Sequence, residues 1–377
     1  MRVLVIGSGG VGGAVARTAA HWGLFERVVM ADYDLDRARH AVAGAGERFA
    51  AYKLDARNED EIVELIRTEH VDAVLNAVDP RFVMPIFRAA FTAGVTYLDM
   101  AMSLSHPHPT DPFHTPGVKL GDEQFAMADQ WQERGLMALC GMGVEPGLSD
   151  VFARYAADKL FSTIEECLNP PIVWEKGKEW FTTEPFSEPE TFVFPAGIGP
   201  IECVNVEHEE VLLVPRWVDA RRVTFKYGLG DEFIGVLKTI HQLGLDSTDP
   251  VEVGGAKVSP RDVVAACLPD PAQIGDRMTG LTCAGTWVTG KGLDGAPREV
   301  YLHHVADNEW CMREFGSQAV VWQTAMNPVV ALELIDAGTW SAPGVIGPEA
   351  LPAEPFLDLL AGHGATWGCE ERVPTAR

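Results

Sequence analysis

Cations are scarce in this chain. Lys and Arg number 30 against 54 Asp and Glu, a formal charge of −24 at pH 7 over 377 residues. That balance excludes nucleic acid as a partner, because binding the phosphate backbone needs Lys and Arg in excess on one face. It also argues against an anionic membrane surface. Long apolar runs are missing too: none approaches the roughly 18 residues of a membrane span. The seven cysteines (Cys140, Cys167, Cys203, Cys267, Cys283, Cys311 and Cys369) form no C-x-x-C pair, which suggests free thiols in a reducing compartment. No secretory pattern is visible, since Met1 runs directly into "RVLVIGSGG", and a cytoplasmic protein is expected. The "HPHP" tract around His106 and His108 has no Cys or acid at ligand spacing, so no metal is expected. Internal repeats and low-complexity segments are absent as well.

What is present fits a globular protein of two domains, with 47% apolar and 22% charged residues. "RVLVIGSGGVGGAVARTAAHWG" reads as a buried strand, a glycine turn and a helix. Gly7, Gly9 and Gly12 fit G-x-G-x-x-G in that context. Gly7 serves the tight turn, Gly9 lets a pyrophosphate approach, and Gly12 lets helix and strand pack closely. With Gly10 and Val11 they would place the pyrophosphate on the helix N-terminus. Asp32 ends the next strand, "RVVMADYD", at the distance suited to an adenosine ribose. A carboxylate there repels a 2′-phosphate, so NAD is favoured, with NADP possible. Asp32 or Asp34 could equally cap the helix that follows. Asp55 would end a third strand near the adenine, and Asn76 and Ala77 a fourth near the nicotinamide ribose. "GVTYLDMA" is a fifth strand ending in Asp99, and "LMALCGMG" a sixth. Alternating strands and amphipathic helices specify a Rossmann-type, doubly wound parallel sheet in an α/β fold.

Ligands of such sheets lie beyond the carboxyl ends of the strands, so the turn "GMGVEPG" belongs on the same rim. Its Pro146 offers no N–H to a phosphate, which makes it active-site floor and not a second nucleotide loop. Beyond residue 150 the alternation dissolves. "PETFVFPAGIGPIECVNV", "EEVLLVP", "RRVTFKYGLG" and "REVYLHHVADNE" read as strands of a mixed or antiparallel sheet. "DEFIGVLKTIHQLG", "PRDVVAACLP" and "SQAVVWQTAMNPVVALELIDAG" read as helices. The expected division is a dinucleotide-binding domain at 1–149, an α+β substrate and dimerisation domain at 150–327, and C-terminal helices at 328–377 packing back on the first domain.

The glycine loop, "YLDMA", "GMGVEPGLSDVFARYA", "LPDP" with Gly275, "YLHHVADNE", "GSQAVVWQTAMNP" and "GTWSAPGVIGPE" occur in this order. Together they resemble the saccharopine dehydrogenase-like family over nearly the whole chain. One departure is that "DKLF" passes straight into "STIEECLNPP", where relatives carry a strand and a glycine-bearing loop; the loop is shortened here, or residues are missing between Phe161 and Thr163. The resemblance implies an NAD(P)-dependent oxidoreductase of a CH–NH bond and a homodimer. Saccharopine is the favoured substrate, with carboxynorspermidine or lysine 6-dehydrogenation as alternatives. An inactive dinucleotide-binding sensor is the reading from another class.

Such chemistry needs a base tuned toward neutrality and cations for substrate carboxylates. Asp99 and Glu145 are the catalytic candidates, although a strand-end cap and a helix-entry acid explain them as well. Arg222 and Lys226 in "ARRVTFKYG" would share one strand face as the substrate wall, or else as a solvated face. His208 in "VEHEEV" would suit an amine-bearing substrate end, or mark an exposed strand edge. His303 and His304 point to opposite faces of their strand, so at most one could reach the site.

Overall fold

Val3–Ile6 in the first strand are at most 1% exposed, as expected for a parallel strand covered on both faces by helices. The chain, seen in a computed structural model, is described over residues 1–106, 108–111, 115–168, 172–183, 187–228, 230–268 and 274–374. Strand β1 (Arg2–Ile6) leads into helix α1 (Gly10–His21), whose Ala14, Val15, Thr18 and Ala19 face inward. Strands β2 (Arg27–Asp32), β3 (Phe49–Lys53), β4 (Ala73–Asn76), β5 (Thr96–Asp99) and β6 (Met137–Leu139) follow. They pair in parallel in the order β6-β5-β4-β1-β2-β3, the doubly wound sheet anticipated. Asp34, not Asp32, caps the helix Leu35–Ala41 by accepting from the Asp36 amide.

The C-terminal part does more than return as helices. Gly344–Ile346 adds a parallel seventh strand beside β6, and Trp367–Arg372 pairs with Pro297–Asp307 at the edge of the second sheet. Helix Ala319–Asp336 packs along α1 and runs unbroken through residue 328. The second sheet has seven strands and is mixed. Its central strand is Phe161–Leu168, and beside that lies Leu281–Gly292, a strand that composition did not announce. A three-stranded sheet (Glu190–Phe194, Gly199–Asn205, Lys226–Tyr227) lies beside it.

Two expectations fail here. "EEVLLVP" is not a strand but the helix Glu210–Trp217, buried from Glu210 to Val214. "ARRVTFKYG" is not one strand: Ala220–Thr224 belongs to the seven-stranded sheet and Lys226–Tyr227 to the three-stranded one. Buried Phe225 belongs to neither strand, and the change of sheet there ends the alternation that would have kept Arg222 and Lys226 on one face. In the "LPDP" motif, residues 269–271 lie outside the described residues, as does residue 107 of "HPHP".

Candidate active site

The glycine turn has the division of labour its spacing implies. Gly7 sits at φ +103°, and a Cβ there would come 2.5 Å from the Ala77 carbonyl oxygen. A Cβ on Gly12 would come 1.9 Å from the Gly7 carbonyl oxygen. A Cβ at Gly9 or Gly10 would meet nothing within 4 Å, so the turn opens on that side over the start of α1. A helix start leaves its first amides without intrahelical partners. The opening therefore fits a pyrophosphate, with Val11 in the first turn of α1 beside it. Buried Asp32 accepts from the Ser8 amide (2.8 Å) and the Asp34 amide (2.9 Å), which fixes its carboxylate at the end of β2. Asp55 stands two residues past β3, in an exposed ion pair with Arg57 that lowers its carboxyl to about 2.

At the next strand ends, Asn76 accepts from the Val78 amide and donates to Tyr97 Oη (3.1 Å). Asp99 is fully buried. It accepts from Tyr97 Oη (2.9 Å), Gln124 Nε2 (2.7 Å) and the Gly141 amide (2.7 Å). Burial pushes its carboxyl up to about 7 even against those donors. These bonds tie β5 to the turn after β6, so Asp99 stands behind the turn and does not line the cleft in front of it.

That cleft, of about 350 Å³, lies between the turn Val144–Glu145, the second-domain sheets and the helix Ala319–Asp336. Glu145 forms its floor and accepts from the Gly285 amide at 3.4 Å. Burial, with the charge of Glu210, raises the Glu145 carboxyl to about 7, while His208 opposes the shift. Lys226 and Glu190 form an ion pair on the wall (2.8 Å), the Lys226 side chain being 12% exposed. Rings of Phe192, Phe194, Phe225, Tyr227, Trp287 and Tyr301 supply most of the remaining surface.

Behind Phe225, the His208 ring stacks on it at 4.2 Å. His208 Nδ1 pairs with Glu210 Oε2 (2.6 Å), and Ser149 Oγ donates to the other Glu210 oxygen (2.8 Å). Burial works against a charged His208, yet the carboxylates of Glu210, Glu209 and Glu145 together push it up to about 9. His208 is thus no exposed edge residue. Glu210, Ser149 and Glu190 escaped the sequence reading, since the first two meet across 61 residues and nothing in their spacing links them.

Arg222 does not join the cleft wall. It pairs with Glu188 (3.0 Å) and reaches Glu175 (3.9 Å), because its strand belongs to the other sheet. His304 is buried against Gln323, and His303 stacks on Tyr301.

Family models match both halves of the chain: the saccharopine dehydrogenase NADP binding domain over residues 3–139 and the saccharopine dehydrogenase C-terminal domain over residues 159–365. The carboxynorspermidine synthase of Vibrio alginolyticus is 29% identical, covering 99% of this chain and 98% of that protein. The carboxyaminopropylagmatine dehydrogenase of Synechocystis sp. is 27% identical, covering 97% and 96%. Among solved structures, L-Glu-forming saccharopine dehydrogenase from Saccharomyces cerevisiae has a TM-score of 0.68 at 15% identity, covering 99% of this chain and 100% of that one. Homospermidine synthase from Legionella pneumophila, solved with NAD, has a TM-score of 0.63 at 10% identity, covering 98% and 91%. At these identities the two structures speak to the fold alone. Among the described residues, no helix is long and apolar enough to cross a membrane.

Proposed function

Because the chain belongs to the saccharopine dehydrogenase family of NAD(P)-dependent oxidoreductases, we propose that it acts on the CH–NH bond of a secondary amine richer in amines than in carboxylates. A carboxynorspermidine-type compound fits better than saccharopine, the substrate favoured on sequence. The composition of the cleft carries this reading. Among its described lining residues Lys226 is the one cation, and Glu190 already engages it, while Glu145 adds a second carboxylate. Three substrate carboxylates would face acids there, whereas ammonium groups would find carboxylates and ring faces. The names of the relatives from Vibrio and Synechocystis support the same choice.

Gly7, Gly9, Gly10, Val11 and Gly12 would hold the pyrophosphate, Asp32 the adenosine ribose, and Asn76 with Ala77 the nicotinamide ribose. Asp55 has a lesser part near the adenine, being occupied by Arg57. A nicotinamide dinucleotide bound there accepts or supplies the hydride. Asp32 favours NAD, since its fixed carboxylate would repel a 2′-phosphate. Glu145 takes the proton from the amine or from attacking water in the oxidative direction and returns it in the reductive one. A carboxyl poised near neutrality can do both. Charged His208, held by Glu210, keeps the ionised form of Glu145 accessible. Lys226 steadies the substrate carboxylate, and Asp99 shapes the turn that carries Glu145. The division at 1–149, 150–327 and 328–377 is kept as a proposal, with the last boundary moved before residue 319 so as not to cut a helix.

The test is the absorbance of reduced nicotinamide with saccharopine, lysine, carboxynorspermidine, or diaminopropane plus a semialdehyde, each with both cofactors. Turnover of the polyamine-type compounds is expected. Cofactor binding without turnover of any of them would favour the sensor reading instead.

A further inference from the structure

Glu145 rides on the turn 140–147, and one distant segment reaches that turn at both ends. At its start the Cys140 amide donates to the Ile346 carbonyl (2.8 Å), which continues the pairing of Gly344–Ile346 with β6. At its end the Gly147 amide donates to Asp150 Oδ2 (2.7 Å), in the first turn of the helix Leu148–Lys159. There is no slack at Gly147, where a Cβ would come 2.2 Å from the Gly143 carbonyl oxygen. Just past Ile346, the single turn Pro348–Ala350 packs on that same helix. Its Glu349 folds back over Gly347, where a Cβ would come 2.4 Å from Glu349 Oε2.

Asp150 and Glu349 are both fully buried, and their carboxyls lie within hydrogen-bonding reach of each other. Three of their four oxygens, Asp150 Oδ1 and both of Glu349, meet no donor in hydrogen-bonding geometry among the described residues. Buried polar atoms seldom go unpaired, and two carboxyls this close cannot both carry charge. One proton answers both demands. Asp150 Oδ2 is taken by the Gly147 amide, so the proton belongs on Oδ1, facing Glu349. Burial and the charge of Glu349 hold the Asp150 carboxyl well above the usual carboxylate range. The charges that reach the pair come from the helix Glu210–Trp217. Glu210 raises both carboxyls. Arg216 draws Glu349 the other way, but it is committed to the Leu212 carbonyl (2.9 Å) and the face of Phe125 (4.0 Å).

We propose that Asp150 and Glu349 share one proton, and that this bond makes Glu349 a positioning residue for Glu145. Asp150 Oδ1–H donates to the Glu349 carboxylate, a charge-assisted bond of the stronger kind. Residues 344–349 then clamp the turn 140–147 at its start through Ile346 and at its end through Glu349 and Asp150. Glu145 sits between the two grips, where a displacement of about 1 Å can cost on the order of a hundredfold in rate. The effect on turnover rests on Glu145 as the acid–base; the shared proton does not.

Infrared difference spectra at pH 9 read the proton, because Asp99 and Glu145, with values of about 7, are then ionised. The wild type should show the carbonyl band of a protonated carboxyl. Asp150→Asn and Glu349→Gln, each alone, should remove all of it, since either amide donates in the proton's place. A merely structural role would not move that band. Carbon-13 glutamate NMR, with the Glu145 signal assigned from Glu145→Gln, reads the turn. Both amide variants should leave Glu145 titrating near its wild-type value. Glu349→Leu fills the space but accepts nothing, so Glu145 should titrate at least about one pH unit lower as the turn admits water. Its kcat should fall at least roughly tenfold, while KM and NADH affinity stay within about threefold. A wild type without the band, a band that survives in either amide variant, or an unmoved Glu145 in Glu349→Leu overturns the proposal. Should the leucine variant not fold, survival of the band in either amide variant still overturns it. A Glu145 titration that moves while kcat does not upholds the clamp and removes Glu145 as the acid–base instead.

Discussion

Replacing Glu145 by Gln should cost activity and return stability. In the native cleft the carboxyl is raised from 4.5 to about 7. Keeping it ionised above pH 7 therefore costs roughly 3 kcal/mol of folding free energy. The sign follows from where the proton resides. The native chain holds it more tightly than the unfolded chain, so stability falls as pH rises from about 4.5 to about 7 and is flat beyond. The glutamine carries no such penalty. Its amide oxygen can still accept from Gly285, but its NH₂ needs partners, which offsets about 1 kcal/mol. The net gain at pH 8 is then roughly 2 kcal/mol, a few degrees in Tm, and it shrinks at pH 5.5. Losing a general acid–base of this kind typically lowers kcat by about 10²–10⁴. Thermal melts at the two pH values and a kcat measurement decide the matter. If Glu145→Gln melts no higher than wild type at pH 8, Glu145 is not strained, and if the variant keeps more than about a tenth of its kcat, Glu145 is not catalytic.

Other outcomes follow from the same geometry. Gly9→Val should stay folded and lose cofactor affinity, whereas Gly12→Ala, with a Cβ 1.9 Å from the Gly7 oxygen, should lower Tm; equal behaviour in melts and NADH titration would contradict the turn's division of labour. Asp32→Ala should narrow the NAD/NADP ratio of kcat/KM, and an unchanged ratio, or a wild type that prefers NADP, removes Asp32 from that role. Lys226→Met should raise substrate KM at least roughly tenfold, while Arg222→Ala should leave it within about twofold; the reverse pattern would restore Arg222 to the substrate wall. Glu210→Gln should lower the His208 pKa from about 9, read by NMR titration, and an unmoved His208 resonance means that Glu210 does not hold it charged.

Much of the first domain was legible in the residues. Strands buried on both faces are short apolar runs, and the strict spacing of Gly7, Gly9 and Gly12 leaves few conformations open. The second domain was less readable. "EEVLLVP" is buried on every side, and a short apolar run carries no period that separates helix from strand. "LTCAGTWVTGKG" escaped because glycines and register shifts at Thr289/Gly290 and Lys291/Gly292 blur its alternation. Glu145 and His208 were visible as candidates. Their surroundings were not, since Gly285 lies 140 residues from Glu145 and Ser149 lies 61 from Glu210, and such meetings are tertiary.

The ratio of kcat/KM for carboxynorspermidine to that for saccharopine, measured with the preferred cofactor, tests the substrate assignment most directly. A cleft with one paired cation should favour carboxynorspermidine by at least roughly a hundredfold, the equivalent of about one mismatched charge contact. A ratio near one, or in favour of saccharopine, would contradict it.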